Sequence, residues 1–162
     1  NPFLQIGYKI GKVRTIWKDA VINTSIYSTA LATDITNYKS TSKRDSKITL
    51  IGHSMGARLI FNALGHCDPH VVDNVFTVGG AVGAPYHWIN RLRKIQMLVN
   101  CYSKQDKVLS YLYRAAEVEV PIGMRRIGKN DTGKRIEKDC SKFVRGPLGH
   151  TLYAKNGSDW LM

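Results

Sequence analysis

The chain has 162 residues, 43% of them hydrophobic, with 24 basic and 12 acidic side chains and a formal net charge of +12. This length fits one globular domain with one core, and no run is apolar enough to span a bilayer. Cys67, Cys101 and Cys140 have no regular spacing, which excludes a disulfide framework and a zinc site.

The basic excess leaves two readings open: an anionic partner such as phospholipid headgroups or nucleic acid, or a solvated basic face. The chain starts at Asn1 rather than Met and shows no signal peptide. We read residues 1–162 as a single domain, either complete or the C-terminal part of a larger protein. The expected location is soluble, cytoplasmic or peripheral to a membrane, with a secreted effector as the alternative.

From Ile10 to Tyr38 apolar residues recur at helical spacing, which predicts one long helix over 8–38, with a break near Asn23-Thr24-Ser25 as the alternative. A polar loop follows to Lys47. Residues 47–52 predict a strand and 55–65 a helix closed by Gly65. His66, Asp68 and His70 then fall in a helix-end loop without a metal-binding signature. A second strand is expected over 73–80, running into the glycine-rich turn of Gly79, Gly80 and Gly83. That turn lacks the spacing of a dinucleotide loop.

Residues 85–94 predict a short helix or turn, and 96–102 a third strand containing Cys101 as a small core residue. A helix is expected over 107–116, with Val108, Leu109, Leu112 and Tyr113 on one face. The basic stretch 124–138 has no interleaved aromatic residues for base stacking, which argues against a nucleic-acid partner. A weak fourth strand near 135–140 and a short final helix complete the order. Alternating strands and helices predict an α/β fold with a mainly parallel sheet of about four strands flanked by helices.

One stretch carries chemistry. Ile48-Thr49-Leu50-Ile51 is an apolar strand run, Gly52-His53-Ser54-Met55-Gly56 is Gly-x-Ser-x-Gly, and a helical pattern follows. That context is a nucleophile elbow, a sharp strand-to-helix turn that lifts a serine hydroxyl clear of the sheet. The two glycines are expected to let strand and helix backbones approach without a Cβ clash. The Met55 N–H is then a donor to a tetrahedral oxyanion. The alternative is an ordinary turn with Ser54 as helix N-cap.

In a parallel sheet, chemistry gathers at the carboxyl ends of strands. Asp106 falls there after the third strand and His150 after the fourth, in Gly146-Pro147-Leu148-Gly149-His150. A serine hydroxyl needs a base, and the resulting imidazolium needs an anion. His150 is assigned as base and Asp106 as orienting acid; Asp106 is also placed to cap the helix after it. His87 is the runner-up base, and His53, adjacent in sequence to Ser54, is expected to point elsewhere and at most to line the site. Asp73 starts a strand and sits at the wrong sheet edge, and Asp139 lies within the weak fourth strand. Neither a metal nor a cofactor is required.

These residues resemble the elbow of α/β-hydrolase esterases, lipases and acyltransferases. They are most similar to the hydrolase-like family that includes the transmembrane and coiled-coil domain proteins. The resemblance rests on Ile48 to Arg58, Asn74 to Ala81, Asn100 to Leu109, Tyr113-Arg114-Ala115 and Gly149-His150, within roughly residues 12–155. It implies a small, truncated α/β-hydrolase fold and the same Ser54, Asp106 and His150 triad, acting on a carboxylic ester or lipid substrate. Where the family tends to carry glycine before the tyrosine, this chain has Cys101.

The fold usually has strands before the elbow strand, and one of their loops donates the second oxyanion N–H. Here one helix precedes the elbow strand. Loss of one donor costs about 3–4 kcal/mol of transition-state stabilisation. An upstream segment or a partner chain completing the sheet would restore it. The alternatives are a catalytically weak hydrolase-fold module that binds a membrane or protein partner, and an antibacterial lipase-type toxin.

Overall fold

The computed structural model describes residues 2–43, 45–83, 89–117, 119–127, 134–146 and 148–155. Helix α1 (Pro2–Thr41) is followed by strand β1 (Thr49–His53), helix α2 (Met55–His66) and strand β2 (Asn74–Val78). Then come the short helix α3 (Ile89–Leu92), strand β3 (Met97–Tyr102) and strand β4 (Lys134–Asp139). The sheet has the order β1-β2-β3-β4, and every neighbouring pair is parallel. This is the small parallel α/β fold that the alternation of elements predicts.

Register explains the two faces. Leu50, Val75 and Leu98 are aligned across three strands. They contact a cluster with Ala57, Ile60, Phe61 and Leu64 of α2 and Ala32 and Ile35 of α1. The next row, Phe76 and Val99, faces the other way with Val78 and Cys101. Cys140, Val144 and Tyr153, from the chain after β4, cover that face. Period-2 alternation thus divides one sheet between two cores. Among the described residues β1 is an edge strand, and its Ile51 is 62% exposed.

Three local expectations are corrected. α1 runs unbroken through Asn23-Thr24-Ser25. Thr24 Oγ1 donates to Val21 O at 2.7 Å and Ser28 Oγ to Ser25 O at 2.6 Å, so both hydroxyls are satisfied inside the helix. Gly65 lies inside α2, which ends at His66 with Cys67 N–H donating to Ala63 O. The 107–116 helix is π-helical over Leu109–Tyr113, then α-helical over Arg114–Ala116. That wider turn buries Leu109 and Tyr113 but leaves Leu112 38% exposed. The 85–94 segment holds the expected short helix at Ile89–Leu92, and residues 84–88 lie outside the described residues.

The expected glycine rule holds at one position of two. A Cβ at Gly52 would lie 2.7 Å from Ala57 N and 2.8 Å from Ala57 Cα, backbone atoms with nowhere to go. At Gly56 a Cβ would meet nothing within 4 Å. The strand side of the elbow therefore demands glycine, and the helix side does not.

Candidate active site

The elbow is built by backbone. Ser54 has φ 54° and ψ −120°, a conformation that costs a non-glycine residue of order 1–3 kcal/mol. Three hydrogen bonds hold it there. Ser54 N–H donates to Val78 O at 3.1 Å, while Ser54 O accepts from Ala57 N at 3.1 Å and Ala81 N at 3.0 Å. The Ser54 side chain makes no capping bond to α2, so the N-cap alternative does not describe it. Met55 opens α2, where a backbone N–H has no acceptor within the helix.

Asp106 and His150 come together although 44 residues separate them. The ring Nδ1 of His150 lies 2.6 Å from Asp106 Oδ2. Asp106 is fully buried and His150 is 7% exposed. Asp106 Oδ1 also accepts from Leu109 N at 3.1 Å, so the capping and orienting roles coexist. With the carboxylate ionised, Nδ1 carries the proton and Nε2 keeps a lone pair. That Nε2 is buried and has no hydrogen-bond partner among the described residues, so Ser54 and His150 are not bonded to each other. Hydrogen bonds of this kind are often formed only once substrate is present.

His53 is closer to His150 than sequence adjacency suggests. Its Nε2 lies 2.9 Å from His150 O, and the two rings are 4.6 Å apart. Since Ser54 follows His53 directly, this contact brings the His150 segment beside the elbow. Burial, then the neighbouring His150, lower the His53 pKa, which favours the neutral ring that donates Nε2–H to the carbonyl. Tyr153, fully buried, stands edge-on to His150 at 6.2 Å. From the other side Ser103 Oγ donates to Val144 O at 2.7 Å, tying the segment before His150 to the end of β3.

His87 lies outside the described residues. Asp73 sits at the opposite sheet edge, where Oδ2 accepts from Ile48 N at 2.8 Å and Oδ1 from Gln96 Nε2 at 3.1 Å. Asp139 ends β4 and accepts from Ser141 N at 2.9 Å. Among the described residues no group of acidic, histidine and cysteine side chains is arranged to hold a metal.

Two polar networks were not visible in the sequence. Buried Asn100 accepts from Thr77 Oγ1 at 3.0 Å, and its Nδ2 reaches Ile122 O, Arg125 O and Glu137 Oε2 at 2.8–3.2 Å. A polar residue inside the apolar run 97–102 was the available signal. The second network centres on Glu117, which accepts from Arg58 Nη2 and from Trp17 Nε1. Arg58 Nε also donates to Ala81 O at 3.0 Å, the residue whose N–H holds Ser54 O. Arg58 therefore braces the elbow against the segment that packs on α1.

Fold and site together define a parallel α/β protein with a strained serine at a strand–helix junction and a carboxylate–imidazole pair at the same sheet edge. The chain belongs to the family described as protein of unknown function DUF726, which matches residues 4–161. It is similar to the uncharacterized membrane protein C6F6.13c of Schizosaccharomyces pombe, 30% identical over 74% of this chain and 16% of that protein. It is also similar to the probable lipase MIL1 of Saccharomyces cerevisiae, 32% identical over 64% of this chain and 10% of that protein. The uncharacterized membrane protein F35D11.3 of Caenorhabditis elegans is 29% identical over 64% of this chain and 18% of its own length. The chain thus spans less than a fifth of each of these relatives. No solved structure matches it. Among the described residues no helix is long and apolar enough to cross a membrane.

Proposed function

We propose that this chain is a serine hydrolase that cleaves carboxylic esters of lipid-like substrates through Ser54, Asp106 and His150. The observation that carries this reading is the 2.6 Å Asp106–His150 contact, with the opposite ring nitrogen buried and unpartnered. An imidazole held this way is oriented as a base with its acceptor vacant. The elbow geometry of Ser54 and the similarity to a probable lipase add support.

His150 Nε2 takes the Ser54 hydroxyl proton as Oγ attacks the ester carbonyl. The Met55 N–H donates to the oxyanion that forms. Collapse of the tetrahedral intermediate breaks the bond to the alcohol oxygen, which receives the proton from the imidazolium. Water then attacks the acyl-enzyme with His150 again as base, releasing the carboxylic acid and regenerating Ser54. An upstream segment or partner chain paired with the free edge of β1 would supply a second oxyanion donor.

A second reading is a catalytically weak module of the same fold. It is favoured by the edge position of β1, which has no preceding strand loop among the described residues to donate to the oxyanion. Hydrolysis of a series of p-nitrophenyl esters, comparing the chain with its Ser54→Ala variant, separates the two. Turnover abolished in the variant supports the hydrolase. Turnover absent from both supports the module.

A further inference from the structure

Beside the Asp106–His150 pair lies a groove of about 460 Å³ lined by Lys107, Val108, Tyr111, Leu112 and Gly146. Its lining lies close to the two site residues along the chain: Lys107 follows Asp106, and Gly146 precedes His150 by four positions. Gly146 has nothing within 4 Å of where a Cβ would stand, so the groove is open at that residue. Four large apolar side chains stand out from these segments: Tyr111 is 68% exposed, Leu112 38%, Phe143 37% and Leu148 73%.

The charges around them have one sign. Lys104, Lys107, Arg114, Lys142 and Arg145 are all exposed. Lys142 Nζ lies 5.9 Å from the Phe143 ring centroid, so a cation and an apolar ring share one spot. Across residues 103–116 and 141–153 the one acidic residue is Asp106, fully buried and paired with His150. The nearest acids beyond them are both engaged: Glu117 accepts from Arg58 and Trp17, and Asp139 accepts from the Ser141 N–H. The two segments are fastened together, with Lys104 N–H donating to Ser141 Oγ at 3.0 Å and Ser103 Oγ to Val144 O.

Exposed apolar side chains interleaved with unopposed cations match an interface of acyl chains and anionic headgroups. We propose that this face docks the protein on an anionic phospholipid bilayer, setting the mouth of the serine site at the lipid surface. The cations meet phosphate and carboxylate headgroups, while Tyr111, Leu112, Phe143 and Leu148 enter the acyl boundary. This deepens the hydrolase reading by naming the surface on which its substrate lies, but lipid binding itself needs no turnover.

The test is sedimentation of the chain, carrying Ser54→Ala, with vesicles of phosphatidylcholine alone or mixed with phosphatidylserine. Strong binding to the mixed vesicles and weak binding to the neutral ones is expected. The pair Lys142→Ala and Arg145→Ala lowers affinity for mixed vesicles roughly thirtyfold at moderate salt. The pair Tyr111→Ser and Leu148→Ser lowers it roughly tenfold or more. Ile22→Ser with Ile26→Ser, two exposed apolar positions on α1, leaves it unchanged.

Equal binding to both vesicle types, equal loss in the α1 pair, or retention on RNA without vesicle binding would overturn the proposal. Vesicle binding, with no ester hydrolysed by the chain that retains Ser54, supports the docking face and removes the hydrolase reading. Turnover of a soluble ester without vesicle binding does the reverse.

Discussion

His53 and His150 lie with their rings 4.6 Å apart, and the Nε2 of His53 meets the backbone carbonyl of His150 at 2.9 Å. The residue before the proposed nucleophile thus holds the backbone of the proposed base. His53→Ala is expected to lower kcat about fivefold, the worth of one hydrogen bond of about 1 kcal/mol, with KM unchanged. His53→Gln, which retains an N–H donor, should recover part of the loss. Steady-state kinetics on a soluble ester check both.

Asp106 fixes the tautomer of His150 through the 2.6 Å contact. Asp106→Asn keeps the shape and an acceptor for Leu109 N–H but presents a donor or a neutral acceptor to Nδ1. We expect kcat to fall by roughly 10⁴, as in triads elsewhere. Circular dichroism and the unfolding midpoint should show a folded protein.

The two elbow glycines should respond differently. Gly52→Ala drives a Cβ into Ala57 backbone at 2.7–2.8 Å and is expected to cost roughly 1–3 kcal/mol. Gly56→Ala meets open space on a helix and should stabilise by about 0.5–1 kcal/mol through helix propensity. Thermal unfolding of both variants against the parent measures the contrast.

Glu117 couples α1 to the elbow helix and gives the fold a pH signature. Burial alone would raise its pKa, but hydrogen bonds from Arg58 and Trp17 outweigh it and hold the carboxyl below the ordinary 4.5. Because the folded value is depressed, the unfolded chain takes up this proton first as pH falls. The contribution is therefore complete above about 4.5 and is lost as pH drops further. Glu117→Gln should lose roughly 1–2 kcal/mol at neutral pH, after discounting for partial exposure, and flatten the fall in stability on acidification below 4.5. Urea unfolding midpoints across that range report it.

The fold and the serine elbow were legible because each is local. Apolar runs of strand length alternate with helical patterns, and Gly52-His53-Ser54-Met55-Gly56 falls at a boundary between them. The Asp106–His150 pairing was reached from strand-end positions, since a parallel sheet gathers those ends at one rim. Contacts that depend on side-chain direction across distant segments were not legible. Sequence adjacency argued that His53 points away, yet the loop from β4 returns to meet it. Asn23-Thr24-Ser25 suggested a helix break, but the Thr24 hydroxyl bonds back to the helix itself. The π-helical turn at Leu109–Tyr113 moved Leu112 off the buried face that a 3.6-residue period assigns it.

The most direct measurement is covalent labelling with a fluorophosphonate, followed by mass-spectrometric mapping of the modified peptide. The account predicts one phosphonyl adduct on Ser54 Oγ, formed much more slowly when His150 is replaced by Ala and abolished in Ser54→Ala. An adduct on another residue, or labelling as fast without the imidazole as with it, would contradict it.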